Sequence, residues 1–389
     1  MERIFVNSLA TAKSFLMYRC KRYFYLGSRA TLCCLAVLAC MAVIPKRQSA
    51  SEVSPDDSEH VTPETPRKEV LSGDSAWIVS LHKTADSMEW SDQLVRHEWR
   101  LQQRPNSFDC RILDDRDCVV REGTRDICLE AFTALEQAGQ MPVVRGPTVI
   151  VLHGLGESRR SMRPLVDFLR NHLDATIVSF GYASPKVGIT EHANSLASVI
   201  AGLPEANRIS FVGHSLGNIV VRRWMGLAPA HDLARIERMV MLGPPNQGSQ
   251  LAKMVSKIWV LAALSNGAAR DLVLNWNEVA RDLAVPDCPI GILAGGKGDD
   301  RGFSGLLEGD DDAVVRVAET HLEGADDFLL VPVRHAAMMR NDAVQRATVA
   351  FLKTGRFGEP LGPQPAAVQP DQPGVPALNP ASPTDRLSP

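Results

Sequence analysis

The chain has 389 residues, 45% of them hydrophobic, enough to bury a sizeable core as one large domain or two smaller ones. Its 42 Lys and Arg against 45 Asp and Glu give a formal charge of −3, which argues against a broad nucleic-acid-binding surface. Aromatics make up 6%, with no aromatic–basic stripe of the kind that grips single-stranded nucleic acid and no visible internal repeat.

At the N-terminus, Arg19, Lys21, Arg22 and Arg29 precede an uncharged stretch, Ala30 to Ile44, closed by Pro45, Lys46 and Arg47. That stretch is short for a membrane span, which needs about 20 residues, whereas a basic region followed by a short apolar core is the layout of a secretory signal. No clean small-x-small cleavage site follows, so residues 1–50 read as a signal sequence or an uncleaved membrane anchor. Val37-Leu38-Ala39-Cys40 resembles a weak lipoprotein signal, but the apolar run continues past Cys40. Either reading places the rest of the chain on the periplasmic or extracellular side of a cell envelope. Residues 51–75 are polar and rich in Pro, Ser, Asp and Glu, a flexible linker, and 356–389 hold nine prolines, a disordered tail. The body, 76–355, suits a single α/β domain. It holds Cys110, Cys118, Cys128 and Cys288, which outside the cytoplasm are expected to include at least one disulfide. No CxxC pair points to zinc.

Within the body, 76–145 follows no strand–helix rhythm; around Cys110–Cys128 a hairpin or an extra strand layer is expected. From there on, near-continuous apolar runs recur: Thr148–Leu152, Ala175–Phe180, Ile209–Val212, Met239–Leu242, Ile290–Leu293 and Phe328–Val331. Between them Met162, Leu165, Val166 and Leu169, then Leu196, Val199 and Ile200, then Ile219, Val220 and Trp224 repeat at helical spacing. The alternation predicts an α/β fold: a doubly wound, mostly parallel sheet with helices on both faces.

The chemistry sits at the ends of those runs. Thr148–Leu152 is followed by His153-Gly154-Leu155-Gly156. An oxyanion hole needs two backbone N–H donors in fixed positions, and flanking glycines let the backbone approach a substrate closely. Leu155 is the expected donor here; an ordinary strand-to-helix turn is the plain alternative. His153 reads as a structural hydrogen-bonding residue. Ile209–Val212 leads into Gly213-His214-Ser215-Leu216-Gly217, a G-x-S-x-G pentapeptide followed by the helical pattern NIVVRRWMGL. A nucleophilic serine there needs a sharp, strained turn with small neighbours two residues either side, and the N–H of Leu216 becomes the second oxyanion donor. After Met239–Leu242 comes Gly243-Pro244-Pro245-Asn246-Gln247-Gly248-Ser249. In 250–287, Leu251, Met254, Val255, Ile258 and Leu261 share one helical face, either a short helical cap over an acyl pocket or a helix packed on the sheet.

Together HGLG after its strand, GHSLG and GPPNQGS resemble the bacterial lipase/esterase branch of the α/β hydrolases, over roughly residues 146–353. The resemblance implies an α/β-hydrolase fold and a serine, acid, histidine order along the chain. Ser215 is then the nucleophile and His335, in VPVRHAAMM just past the last strand, the base; His321 is the rival, in a stretch that reads as helix. Asp312-Ala313-Val314-Val315 resembles the D-G-x-V turn that carries the acid in related lipases, with Ala313 in the glycine's place and Asp310 and Asp311 alongside. Asp299, in Gly296-Lys297-Gly298-Asp299, is the second candidate; Asp312 is preferred. No EF-hand pattern supports calcium at Asp310–Asp312, and no metal or cofactor is implied. The activity implied is hydrolysis of carboxylic esters through an acyl-enzyme. Thioester hydrolysis or acyl transfer would use the same triad, and a non-catalytic envelope protein on a hydrolase scaffold is the reading from another class. The expected partner is an ester or acyl small molecule or lipid rather than nucleic acid, with membrane association through the N-terminal segment.

Overall fold

Between residues 91 and 124 short polar and apolar runs are broken by tight turns, and they form β1 (Ser91–Arg96), β2 (Trp99–Gln103), β3 (Asp109–Leu113) and β4 (Val119–Thr124). The turns place His97, Asn106 and Asp117 at φ values of 53°, 55° and 63°. Asn and Asp tolerate this left-handed region better than other non-glycine residues, so the loops favour reversal and the strands pair antiparallel in sequence order. Helix α1 (Arg125–Gln137) closes the layer, its Cys128 and Phe132 packing with Leu101, Cys110, Ile112 and Met141 in a small core of their own. The computed structural model describes residues 86–248, 267–273 and 275–358. The signal or anchor at 1–50, the linker 51–75, Ser249, the helical face Leu251 to Leu261 and the tail beyond 358 lie outside the described residues.

The six apolar runs become one parallel sheet: β5 (Pro147–Leu152), β6 (Thr176–Phe180), β7 (Arg208–His214), β8 (Ile236–Leu242), β9 (Ile290–Gly295) and β10 (Asp327–Val331). Their order across the sheet is β10-β9-β8-β7-β5-β6. Side chains alternate between two cores, as the two-residue period of a strand requires. Ile150 and Leu152 face one core with Phe211, Met239 and Ile292, while Val149 and Val151 face the other with Val212, Val240 and Leu293. Helices α2 (Arg163–His172) and α5 (Asp342–Thr354) cover the second face; α3 (Ile189–Ala201) and α4 (Leu216–Met225) cover the first. This is the doubly wound arrangement, and burying each such Val, Leu, Ile or Phe is worth about 1.5–3 kcal/mol.

A buried ion pair joins the antiparallel layer to the main sheet. Arg100, fully buried, donates to Asp92 at 2.5 Å and to the Ser179 carbonyl of β6 at 2.6 Å. Asp92 also accepts from Gln102 and from the Gly181 N–H, both at 2.7 Å. Farther on, Asp117 pairs with Arg159 and Arg160. The small layer therefore braces the loops that follow β5 and β6.

The described part of the 250–287 segment is two short helices, Ala268–Val273 and Trp276–Arg281, with Ala268, Leu272 and Trp276 in the main core. Among the described residues no helix is long and apolar enough to cross a membrane. The expected disulfide does not form in the body: Cys110 and Cys128 are buried free thiols in the small core, Cys118 is exposed, and Cys288 is half-buried.

Candidate active site

In a doubly wound sheet the crevice for a ligand opens where the strand order reverses, beyond the carboxyl ends of the strands. Here the chain passes from β5 outward to β6 and then returns to pair β7 on the other side of β5. The turns HGLG and GHSLG leave the sheet from those two adjacent ends. Ser215 lies between β7 and α4 with φ 52° and ψ −120°, a conformation costly for a side-chain-bearing residue, of order 1–3 kcal/mol. Its N–H donates to the Leu242 carbonyl at 2.9 Å, and its carbonyl accepts from the Asn218 N–H and side-chain amide, each at 3.1 Å. The flanking glycines are needed for close approach. A Cβ on Gly213 would overlap the Asn218 amide. One on Gly217 would lie 2.8 Å from the His153 carbonyl oxygen and from the Leu152 Cβ, so α4 abuts the end of β5.

His335, at the start of a short 3₁₀ turn after β10, puts its Nδ1 2.6 Å from Asp312 Oδ2. The backbone of the two residues closes the same contact, His335 N–H donating to the Asp312 carbonyl at 2.8 Å. Asp312 is fully buried, and its other oxygen accepts from the N–H groups of Val314 (2.9 Å) and Val315 (2.7 Å). Ala313 pays for this turn with φ 85°, which explains why a glycine is the usual occupant. Gly243, at φ 50°, passes beneath the pair: a Cβ there would lie 3.0 Å from His335 Nδ1 and 3.1 Å from Asp312 Oδ2. The His335 ring also packs on His214, the residue before Ser215, at 4.5 Å between centroids. Burial works against the imidazolium, but the carboxylates of Asp312 and, less directly, Glu157 outweigh it and raise the His335 pKa.

On the other side of the serine, a Cβ on Gly154 would lie 3.2 Å from both Ser215 Cβ and His214 Nδ1, so the HGLG turn rests against the elbow. Among the described residues no protein acceptor takes the backbone N–H of Leu155 or of Leu216. The neighbouring donors are all used: Gly154 N–H on Glu157 (3.1 Å) and Gly156 N–H on the Ser184 hydroxyl (3.0 Å). His153 is structural. It is buried, donates from Nδ1 to the Gly154 carbonyl at 2.9 Å, accepts at Nε2 from the Tyr182 N–H at 3.3 Å, and stacks on the Tyr182 ring at 4.1 Å. Burial depresses its pKa to about 4, which keeps it neutral.

Of the two candidate acids, only Asp312 meets the imidazole. Asp299 is exposed and caps its own turn, accepting from Arg301 and Gly302 N–H. Asp310 braces the same turn through the N–H groups of Lys297 and Gly298, and Asp311 accepts from Ser304 and Ala313. Among the described residues no cluster of His, Cys, Asp or Glu is arranged to hold a metal ion. His321 follows a helix of only four residues, Val317–Thr320, and stacks on Phe328 of β10. The GPPNQG segment ties the site's rear together: Asn246 accepts from Arg222 of α4 at 3.1 Å and donates to the Thr320 carbonyl at 2.8 Å. Two residues that the motifs did not single out also belong here, Glu157 and the His214 ring. A glutamate directly after HGLG was the available signal.

Residues 149–249, from β5 through the elbow to the GPPNQGS segment, match a family model described as "Putative serine esterase (DUF676)". No curated protein matches the chain by sequence. Among solved structures it is similar to the mature lipase BlEst2 of Bacillus licheniformis, at 18% identity and TM-score 0.41, covering 55% of this chain and 96% of the lipase. It is also similar to the phospholipase PlaB of Legionella pneumophila, at 23% identity and TM-score 0.36 over 45% of each chain. A metagenomic carboxyl esterase aligns at 21% identity and TM-score 0.37, over 51% of this chain and 67% of the esterase. The scaffold is a doubly wound α/β fold on a six-stranded parallel sheet, and residues 149–249 are similar to the serine-esterase family model.

Proposed function

We propose that this α/β-hydrolase-fold protein is a serine hydrolase of carboxylic esters that works through an acyl-enzyme. The observation that carries the reading is the His335–Asp312 contact at 2.6 Å, packed against the residue that precedes a strained Ser215. With its Nδ1 proton held by Asp312, the neutral imidazole keeps an Nε2 lone pair for the Ser215 hydroxyl. Ser215 Oγ attacks the ester carbonyl as His335 takes its proton. The oxygen of the tetrahedral intermediate is received by the N–H groups of Leu155 and Leu216, which have no protein acceptor among the described residues. His335 then returns the proton to the leaving alcohol, and a water, activated the same way, releases the acid. The match of residues 149–249 to a serine-esterase family supports esters as the substrate class. With this reading goes that of residues 1–50 as an export signal or membrane anchor, supported by the basic run ahead of a short apolar core.

Hydrolysis of a p-nitrophenyl ester series of increasing acyl length, by the wild type and Ser215→Ala, tests the reading. The wild type should turn over at least the short esters, and the variant should be silent while melting at the same temperature. Equal turnover by both would remove Ser215 from the chemistry.

A further inference from the structure

On the reading of Ser215 as nucleophile, we propose that Glu157 is a positioning residue that holds the oxyanion turn and the outer face of the catalytic imidazole in one arrangement. Its Oε2 is a hub. It accepts from the Gly154 N–H at 3.1 Å and the Ser161 hydroxyl at 2.8 Å, and it lies 3.3 Å from His214 Nδ1. The first contact fixes the residue before the expected donor Leu155. The third fixes a ring that packs, tilted by 43°, against His335 at 4.5 Å between centroids. Two carboxylate–histidine pairs thus stand side by side, Asp312–His335 and Glu157–His214. The second reaches the nucleophile from the β5 side, while the first reaches it from the β10 side.

Several details argue that this carboxylate is more than a turn cap. Burial would raise its pKa, yet the His214 ring and the two donors Gly154 N–H and Ser161 hydroxyl hold it ionised, well below the usual carboxylate range. His214 is fully buried, and its Nε2 has no hydrogen-bond partner among the described residues, so the Glu157 contact is what orients the ring. The charged and titratable groups around Glu157 are His214 from β7, His153 just after β5, Tyr182 after β6 and, beyond His214, His335. Those around His335 are Asp312 from the loop after β9, His214 and, beyond it, Glu157. Glu157 therefore acts on the base in the same direction as Asp312, favouring the protonated imidazole. It does so without touching it.

The two roles separate in two substitutions. Glu157→Gln keeps an acceptor for Gly154 and Ser161 but removes the charge; Glu157→Ala removes both. The full chain is treated with a fluorophosphonate, and the rate constant for loss of Ser215 is followed from pH 5 to 9, with the melting temperature recorded for each variant. Glu157→Gln should shift the acid limb of the rate profile downward by about half a pH unit, since one carboxylate no longer stabilises the imidazolium. Its plateau should stay within a few fold of wild type. Glu157→Ala should lower the plateau by about 10- to 100-fold, the effect of displacing an oxyanion donor by a fraction of an ångström to an ångström. An unmoved acid limb in Glu157→Gln overturns the proposal, as does a wild-type plateau in Glu157→Ala. If Glu157→Ala does not fold, the acid limb of Glu157→Gln decides alone. Failure of the wild type itself to react would strike at the nucleophile assignment instead.

Discussion

At the scale of single residues, the candidate site was legible where chemistry imposes a local pattern. A nucleophile elbow needs two small residues around a serine, and Gly213 and Gly217 occupy places where a Cβ would run into Asn218 and the end of β5. The proposed acid was less legible, because Asp299 and Asp312 both sit in the loop after β9 and no sequence rule says which carboxylate turns inward. Burial and the Val314 and Val315 N–H groups make the difference. Asp312→Asn should cut turnover by about 10⁴, since His335 loses the partner that fixes its tautomer. Asp299→Asn should cost no more than about tenfold, as an exposed, solvent-screened charge. Steady-state kcat for both variants decides the matter, and the reverse ranking would transfer the role to Asp299. Glu157 is illegible in the sequence for a plain reason: Gly154 and Ser161 are its near neighbours and alone make an ordinary turn, whereas His214 stands 57 residues away and only the adjacency of β5 and β7 brings it to the carboxylate.

At the scale of elements, the apolar runs announced a parallel sheet, and all six lie in it. Its strands are covered on both faces, so they read as continuous hydrophobic stretches. The antiparallel layer was harder to read because it buries charge. Arg100 and Asp92 look like surface residues in the sequence, yet both are fully buried. Removing Asp92 leaves the buried Arg100 with only the longer contact to Glu98, at 3.7 Å, and breaking a buried pair in this way costs up to about 3–5 kcal/mol. Asp92→Ala should therefore lower unfolding stability in urea by that order. Because Asp92 also receives the Gly181 N–H, just ahead of Tyr182 and Ser184, activity should fall with stability. A neutral effect on both would mean that the layer merely decorates the sheet. Helix α5, not anticipated from periodicity, is capped by Asn341, which accepts from Ala343 and Val344 N–H, and ended by Gly355 in the left-handed region. Those are local signals that stood in the sequence.

At the scale of the whole molecule, the buried histidines make stability depend on pH. His153 and His192 are fully buried, and burial depresses their pKa values to about 4 and about 3. Unfolded, each would titrate near 6.5. Above 6.5 neither state binds the proton and the full stability is present. As pH falls below 6.5 the unfolded chain gains protons the native state cannot accept, so stability is lost at about 1.4 kcal/mol per pH unit per histidine until the folded pKa is reached. His335 has the opposite sign, because its raised pKa favours the folded state below that value and loses the benefit as pH rises through it. Urea unfolding between pH 6.5 and 4.5 should thus show a falling stability, with a shallower slope in His192→Gln. An identical slope in that variant would mean that His192 is protonated without cost in the folded protein.

One measurement bears on the central claim most directly: intact mass and peptide mapping of the full chain after treatment with a fluorophosphonate. The wild type should gain a single adduct, mapped to Ser215, and lose ester turnover in step with labelling. The folded Ser215→Ala variant should gain none. An unlabelled wild type that is nevertheless folded, or an adduct that maps elsewhere and persists in Ser215→Ala, would contradict the assignment of a serine hydrolase centred on the β7–α4 elbow.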